Sequence, residues 1–197
     1  MSYHLLLNQD KILASILGVE RKELVVRNNL HVRLMSSIMS QQLSIKVAAV
    51  IFNRFLALYD EKDPSPEAVL STSHEVLRAI GLSNAKVQYV QNVASFFISK
   101  KLTDKILHEM DNEDLIALLT EIKGVGRWTV EMLLMFSMGR EDIFSPDDLG
   151  IQQAMTKLYD LNPAEKKSFR ADMHRISESW KPFRTYACLH LWAWNNK

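Results

Sequence analysis

Apolar residues recur at intervals of three and four over most of the chain, which is the spacing of one face of an α-helix. The stripe of Val87, Val90 and Ala94 is typical of this spacing. It predicts a long helix over residues 84–100. The same pattern predicts further helices over 10–17, 32–59 with a break near 41–44, 73–80, 103–110, 111–121, 129–138, 149–159, 163–180 and 184–194, with a charged connector at 20–23. Runs of β-branched residues are few, so the pattern favours an all-α fold.

Two of these helices are joined only by Lys-Gly-Val-Gly at residues 123–126, which is long enough for nothing but a tight hairpin. Gly124 and Gly126 permit positive φ and leave backbone N–H groups uncovered by a Cβ atom. The second helix would then begin with outward-pointing amides, which form a ready phosphate-binding site. An ordinary corner between two helices, with glycine as a C-cap, fits the same residues equally well.

Composition and charge place few further limits on function. With 197 residues the chain can form one domain or two small lobes, and its 47% hydrophobic and 24% charged residues are ordinary globular values. A formal net charge of +1 gives only weak support for nucleic-acid binding. The C-terminal part is more basic, but a basic run is more often a solvated helix face than a DNA-binding surface.

Cys188 is the only cysteine in the sequence, which excludes an internal disulfide and a four-cysteine iron–sulfur cluster. The six histidines lack the spacing of metal ligands, and His190 is expected to be structural. The N-terminal residues show no signal-peptide pattern, and no apolar run reaches membrane-spanning length. We therefore expect a reduced, intracellular protein with no cofactor and no membrane partner.

The hairpin sequence and a later aspartate pair together resemble a known family. Gly-Val-Gly at 124–126 is followed by Arg-Trp-Thr, and Phe-Ser-Pro-Asp-Asp stands at 144–148. These residues resemble the helix-hairpin-helix (HhH-GPD) DNA glycosylases, which carry a Gly/Pro-rich loop and an aspartate. The segments at 81–86 and 180–192 are similar to the 3-methyladenine DNA glycosylase II branch of that superfamily.

The resemblance extends over roughly residues 34–194 and implies a particular lobe arrangement. One helical lobe would comprise about residues 30–125, and the other would comprise 1–29 plus 126–197. A DNA-facing cleft would lie between them. The additional β-rich domain with which the best-known bacterial members begin has no counterpart in this sequence.

The resemblance implies that Asp148 is the catalytic residue. In the family this aspartate lies at a helix N-terminus and faces the sugar of an extruded nucleotide. There it opposes the positive charge that develops as the N-glycosidic bond breaks, or it positions a water molecule. Asp147 is expected to act only at the helix start. From the residues alone, an Asp-Asp pair before a helix also fits a plain N-cap.

Trp128 occupies the position at which bifunctional members carry a lysine that forms a Schiff base. The resemblance therefore implies a monofunctional enzyme that uses water. An indole there can stack on an extruded base, and a cationic base gains further from its π face. Trp192 matches a second aromatic of the base pocket, and Tyr186 is expected to join it. Simple core packing fits each of these aromatics as well.

Two loops are expected to contact DNA. The first is the hairpin, through Lys123, Gly124, Val125, Gly126, Arg127 and Thr129. The second is a minor-groove wedge of Gln41, Gln42 and Leu43, in which Gln42 fills the gap left by a flipped base. A plain helix-turn-helix fits the wedge residues too. The resemblance also implies a monovalent cation on hairpin carbonyls such as those of Ile122 and Gly124.

These features predict hydrolytic excision of alkylated purines, such as 3-methyladenine and 7-methylguanine, from double-stranded DNA. The alternatives are a glycosylase for etheno-adducted or deaminated purines and a helix-hairpin-helix DNA-binding protein without catalysis. We expect a monomer, located in the cytoplasm with the nucleoid if the source is bacterial and in the nucleus if it is eukaryotic.

Overall fold

A computed structural model of the chain describes residues 2–18 and 23–196. In this part of the chain the secondary structure consists of α-helices, one 3₁₀-helix (Glu178–Trp180) and an isolated antiparallel bridge between Val26 and Met138. The predicted all-α fold is therefore confirmed. The α-helices are α1 (Tyr3–Leu7), α2 (Lys11–Ala14), α3 (Leu30–Ser40), α4 (Ile45–Ala57), α5 (Pro66–Ser71), α6 (His74–Ala79), α7 (Asn84–Ser99), α8 (Asp104–Glu109), α9 (Asn112–Thr120), α10 (Arg127–Phe136), α11 (Leu149–Tyr159), α12 (Lys166–Ser177) and α13 (Arg184–Asn195). Within the described residues, no helix is long and apolar enough to cross a membrane.

Serine side chains set the starts of several helices. Ser44 accepts a hydrogen bond from the N–H of Val47 at 3.4 Å and so starts α4 just after the predicted wedge. Ser65, Ser73 and Ser83 cap α5, α6 and α7 in the same way. Each cap satisfies an N–H group that has no partner inside the helix, so the breaks between neighbouring helices are fixed locally.

Some helix boundaries differ from the predicted ones for local reasons. α10 begins at Arg127, earlier than predicted, because Gly126 serves as its N-cap. The helix predicted over 163–180 is divided, since α12 ends at Ser177 and passes into the 3₁₀-helix. The sequence pattern does not indicate α1, whose five residues are too few to show a helical period. The connector expected at 20–23 lies, apart from its last residue, outside the described residues.

The chain divides into two compact units, which we call the terminal unit (Met1–Val25 with Gly139–Lys197) and the central unit (Val26–Met138). The resemblance places the second boundary near residue 125, between the two hairpin helices. The structure keeps both of these helices in the central unit, because α10 packs against α3 and α9. The DNA-facing cleft expected between the two lobes stays a prediction.

The core of the central unit is built on the stripe that predicts α7. Val87, Val90 and Ala94 are completely buried, and α7 packs against α3 and α5. On α3, Met35 and Ile38 are buried to the same degree. Burying a side chain of this size stabilises a fold by roughly 1.5–3 kcal/mol. The core thus holds α3 firmly, and the predicted wedge follows the C-terminus of that helix.

In the terminal unit, Asp10 connects the N-terminal helices to the C-terminal ones. It caps α2 by accepting hydrogen bonds from the N–H groups of Ile12 and Leu13. Its other oxygen accepts from the hydroxyl of Tyr159 at 2.7 Å and from Nε1 of the completely buried Trp180 at 2.9 Å. Burial alone would raise the pKa of the Asp10 carboxyl, but the four hydrogen bonds outweigh it and lower that pKa. The N-terminal helices therefore pack with the C-terminal ones, as the resemblance implies.

Candidate active site and DNA-contact residues

Asp148 is the N-cap of α11 in the terminal unit. Its Oδ1 accepts a hydrogen bond from the N–H of Ile151 at 2.9 Å and a second from Nε1–H of Trp192 at 2.7 Å. Both bonds end on the same oxygen, so they orient the half-buried carboxylate. The start of a helix also favours a negative charge. Asp148 therefore combines the cap expected from its position with a defined orientation suited to chemistry.

The neighbouring carboxylate, that of Asp147, is exposed and engaged differently. Arg170 on α12 binds it through two hydrogen bonds, from Nη1 to Oδ1 at 2.6 Å and from Nη2 to Oδ2 at 3.0 Å. A bidentate guanidinium offsets the charge of the carboxylate and occupies both of its oxygens. Asp147 is thus poorly suited to oppose a positive sugar, which supports Asp148 as the reacting carboxylate. Helical spacing does not reveal Arg170, because 23 positions separate the two partners.

Trp192 on α13 is half-buried, and its indole N–H is directed to Asp148. This approach depends on Gly150, because a Cβ atom there would lie 2.9 Å from Cδ1 of Trp192 and 3.1 Å from Oδ1 of Asp148. The resemblance assigns Trp192 to the base pocket, whereas its polar edge contacts the carboxylate. A glycine inside a helical pattern is the one sequence signal that could have pointed to this close contact.

Tyr186 is held inside the terminal unit. Its ring is stacked on that of Tyr3, with centroids 4.0 Å apart and planes 4° from parallel. Its hydroxyl donates to Oε1 of Glu141 at 2.8 Å, and only 8% of the residue is exposed. Burial, together with Glu141, raises the pKa of Tyr186 to about 12. These contacts explain Tyr186 as a packing residue and give no support to a place in the base pocket. His190, which is 2% exposed, is buried as expected of a structural residue.

The two hairpin glycines, between α9 and α10, have different environments. Gly124 has a φ of +104°, and a Cβ atom there would lie 2.2 Å from Cγ of Tyr89. Gly126 has a φ of −100° and a ψ of 167°, and a Cβ atom there would meet nothing within 4 Å. Of the two glycines that permit a positive φ, only Gly124 uses it. Gly126 is instead the N-cap of α10 and has no side chain that could cap the helix. The first amides of α10 have no partners within the helix.

Several hairpin side chains predicted to bind DNA are engaged within the protein. Arg127 donates from Nε to Glu131 at 2.9 Å and from both Nη atoms to Glu113 at 2.8 and 3.1 Å. Thr129 is 3% exposed and Val125 is 6% exposed. The Arg127 guanidinium is thus held by two carboxylates, and the side chains of Thr129 and Val125 face the core. Contact with a phosphate at these positions would have to come from the backbone.

Two carbonyls of the hairpin, those of Ile122 and Lys123, accept hydrogen bonds. The oxygen of Ile122 accepts from the N–H of Val125 at 2.9 Å, and that of Lys123 accepts from Nδ2 of Asn92 at 3.0 Å. A carbonyl oxygen keeps a second lone pair, so these bonds are compatible with a cation, which stays a prediction for Ile122 and Gly124. The Lys123 side chain is exposed. Over residues 2–18 and 23–196, no cluster of His, Cys, Asp and Glu could hold a metal ion.

Trp128 lies in the first turn of α10 in the central unit, with 38% of its surface exposed. It differs in this from Trp180, which is completely buried. An exposed indole at the start of a helix is accessible for stacking on a planar ligand, so simple core packing does not account for it.

The predicted wedge follows α3. Gln42 adopts a left-handed backbone with a φ of +60°, which is uncommon for a residue other than glycine. Leu43 and Ile45 beside it are 36% and 91% exposed. Gln41 is turned inward, and its Nε2 donates to Oγ1 of Thr129 at 3.5 Å. The loop therefore presents an amide and apolar side chains at the surface, as a wedge requires.

Lys86 on α7 binds the backbone at the C-terminus of α3, where the wedge begins. Its Nζ donates to the carbonyl oxygens of Met39 at 2.9 Å and Gln41 at 2.6 Å. These carbonyls end α3 and would otherwise lack a partner within the helix. Burial lowers the pKa of the Lys86 amine. Sequence reasoning missed this contact, because 45 positions separate Lys86 from Gln41.

With this geometry established, comparison with known proteins identifies the family. A family model described as "HhH-GPD superfamily base excision DNA repair protein" matches residues 35–182. The match covers most of the chain, and the chain therefore belongs to the HhH-GPD superfamily of base excision DNA repair proteins.

Individual relatives agree with this assignment. DNA-3-methyladenine glycosylase 1 of Schizosaccharomyces pombe is 39% identical over 161 residues, which cover 81% of this chain and 69% of that protein. DNA-3-methyladenine glycosylase 2 of Escherichia coli is 27% identical over 165 residues, which cover 79% of this chain and 54% of that protein. The chain thus spans little more than half the length of the Escherichia coli relative.

Solved structures show the same fold. The Schizosaccharomyces pombe 3-methyladenine DNA glycosylase, Mag1, in complex with abasic DNA matches with a TM-score of 0.85 and 33% identity, over 100% of this chain and 98% of that one. A DNA-3-methyladenine glycosidase from Bacillus halodurans also matches with a TM-score of 0.85, at 32% identity over 100% of this chain and 90% of that one.

Proposed function

We propose that the chain is a monofunctional DNA glycosylase that hydrolyses the N-glycosidic bond of alkylated purines in double-stranded DNA. The names of its relatives support 3-methyladenine as a substrate. 7-Methylguanine belongs to the same class, because it also carries a positive charge on the base. The product is an abasic site, from which base excision repair continues.

The observation that carries this proposal is the orientation of the Asp148 carboxylate. Ile151 and Trp192 both donate to Oδ1, so the charge is held in one direction before any substrate binds. Preorganised charge of this kind stabilises a transition state because little rearrangement is needed when the opposite charge develops. A DNA-binding module without catalysis could use the N-cap bond from Ile151, but it would not need the second donor from Trp192.

The chemistry needs only this anion and a water molecule. As the N-glycosidic bond breaks, its electron pair returns to the alkylated base, which leaves as a neutral molecule, and positive charge spreads over the sugar. Asp148 opposes that charge, as carboxylates do in polysaccharide glycosidases. Water then forms the new bond to the sugar carbon and gives up one proton to the surrounding solvent. Since the base is already a good leaving group, the reaction does not require a strong general acid.

Two parts of the central unit suit contact with the DNA backbone and groove. The bare start of α10 at Gly126 can donate amides to a phosphate, which fixes position without reading sequence. Gln42, beside Leu43, can occupy the space of an extruded base. We propose that the protein acts on DNA as a monomer, in the cytoplasm if it is bacterial and in the nucleus if it is eukaryotic. Size-exclusion chromatography with light scattering, with and without duplex DNA, tests the monomer.

The decisive experiment is incubation of the chain with methylated duplex DNA, followed by chromatographic identification of the released bases. We expect 3-methyladenine and 7-methylguanine. Asp148→Asn should release base on the order of 10²–10³ times more slowly, since one stabilising electrostatic group is lost. Its fold should persist, because asparagine is as good an N-cap as aspartate. Asp147→Asn is the matched control and should stay active.

The outcomes separate the proposal from its alternatives. Release of etheno-adducted or deaminated purines in place of methylated ones would assign the chain to a different glycosylase specificity. DNA binding without release of any base would support a binding module. An active Asp148→Asn beside an inactive Asp147→Asn would show that the other carboxylate reacts.

A further inference from the structure

Gly150 is the second residue of α11, and its own backbone does not require glycine. Its φ lies outside the left-handed region. Glycine inside a helix costs about 1 kcal/mol relative to alanine. The three nearest heavy atoms that a Cβ atom would meet are Cδ1 of Trp192 at 2.9 Å, Oδ1 of Asp148 at 3.1 Å and Nε1 of Trp192 at 3.2 Å. The missing side chain therefore leaves room for the hydrogen bond between Trp192 and Asp148.

We propose that Gly150 is a positioning residue for the carboxylate, acting through Trp192. The indole edge crosses the space above Gly150 and reaches Oδ1 of Asp148 at 2.7 Å. A methyl group at Gly150 would push the indole away, because the backbone of α11 and the Asp148 cap cannot move aside as easily as a ring. Oδ1 would keep its bond from Ile151 but lose the second donor that orients it.

This inference deepens the proposed glycosylase function and rests on it. It also gives Trp192 a task different from the one that the family resemblance implies. Its N–H donates to the carboxylate, so any stacking on a base would use the ring face alone. A shift of a reacting group by about 1 Å can slow an enzyme on the order of 10²-fold, so a small displacement of Trp192 is enough to affect base release.

The test is Gly150→Ala, with Gly18→Ala as the matched control in the same unit, because a Cβ atom at Gly18 would meet nothing within 4 Å. We expect Gly150→Ala to slow single-turnover release of 3-methyladenine by about 10- to 100-fold, with KM and duplex affinity nearly unchanged. If Gly150 has only a structural role, release should be unchanged, because alanine is more favourable in a helix than glycine. Gly18→Ala should release base at the parent rate.

A double-mutant cycle shows whether Gly150 acts through Trp192. Trp192→Ala removes the indole that the new methyl group would displace. Gly150→Ala should then have almost no further effect on release, so the two effects should be strongly non-additive. Equal fold-losses from Gly150→Ala in the parent and in Trp192→Ala would overturn the inference.

A spectroscopic readout separates this inference from the proposed function. The chain has four tryptophans, and the indole N–H resonance of Trp192 can be assigned by its loss in Trp192→Phe. That resonance should move in Gly150→Ala in the same direction as in Asp148→Asn. If it keeps its parent position in Gly150→Ala, the inference fails whether or not the protein releases base. If the resonance moves but the parent releases no base, the positioning contact stands and the proposed function fails.

Discussion

Tyr89 lies against Gly124 so closely that a Cβ atom there would fall 2.2 Å from Cγ and 2.5 and 2.6 Å from the two Cδ atoms of the ring. The backbone at Gly124 is also left-handed, with a φ of +104°. Gly124→Ala should therefore destabilise the fold by about 1–3 kcal/mol through backbone strain alone, and by more if the ring is displaced. Thermal unfolding followed by circular dichroism checks this, and an unchanged midpoint would contradict it.

Gly126→Ala makes the same chemical change two positions later, but it should mainly weaken DNA binding rather than destabilise the fold. A Cβ atom there meets open space and the backbone suits any residue, so the unfolding midpoint should fall much less than in Gly124→Ala, since the only loss is that alanine is a poorer N-cap than glycine. The methyl group would, however, stand where a phosphate approaches the amides that begin α10. We expect weaker duplex binding, by a similar factor for unrelated DNA sequences, in fluorescence anisotropy. Normal binding by this variant would leave the hairpin as an ordinary corner between helices.

Lys86→Met should loosen the wedge. The change removes the ammonium that donates to Met39 and Gln41, and leaves two half-buried carbonyls without that donor. We expect a stability loss of roughly 1–3 kcal/mol together with weaker base extrusion, measured with 2-aminopurine fluorescence in duplex DNA. Lys105→Met is the control, since that side chain is 84% exposed and its ion pair with Glu109 is long at 3.9 Å. Parent-like extrusion by Lys86→Met would show that the lysine does not support the wedge.

The helix spacing of the sequence predicts the fold well because helical periodicity is a local property. The α7 stripe can be read from neighbouring residues and is found as predicted, and the Ser44 cap that starts α4 is likewise a contact between near neighbours. The boundary between the two lobes, in contrast, is not set by neighbouring residues. It depends on whether α10 packs more closely with α3 or with later helices, and spacing along the chain carries no information on that choice.

The resemblance names candidate site residues one by one, but it does not indicate their contacts. Family resemblance points to Asp148, and the structure adds that Trp192 orients it. The resemblance equally points to Arg127 as a DNA contact, but Glu113 and Glu131 hold its guanidinium. Such pairs join residues far apart in sequence or on different helices, so no periodic pattern records them.

Asp10 should make the stability of the protein depend on pH in acid. Its pKa in the folded state is lowered, so its contribution is fully present above the unfolded pKa of about 3.9 and is lost as the pH falls through the folded value. Asp10→Asn should lower the unfolding midpoint at pH 6, and the gap to the parent should close as the pH falls through the lowered pKa of Asp10 in the folded state. Asp172→Asn, which affects only an exposed pair with Arg175, should shift the midpoint much less at either pH. A gap that stays constant with pH would contradict a charge-dependent role for Asp10.

Trp128 should determine both the reaction type and the preference for cationic bases. The resemblance places the Trp128 indole where a lyase carries its amine, so borohydride should trap no covalent adduct with DNA, and the strand should stay intact after base release. Trp128→Ala should lose roughly 1–3 kcal/mol of stacking on the base. The loss should be larger for cationic 3-methyladenine than for neutral hypoxanthine, because the attraction of a cation to the indole face disappears as well.

Phe136→Ala is the matched control for this comparison, since it removes an aromatic ring that is 45% exposed at the other end of the same helix. It should change release of the two bases equally and slightly. Single-turnover release from duplexes that contain one damaged base gives the two rate ratios directly. A trapped adduct would reveal an amine nucleophile elsewhere in the chain. Equal losses on both bases in Trp128→Ala would show that the indole packs against the substrate without sensing its charge.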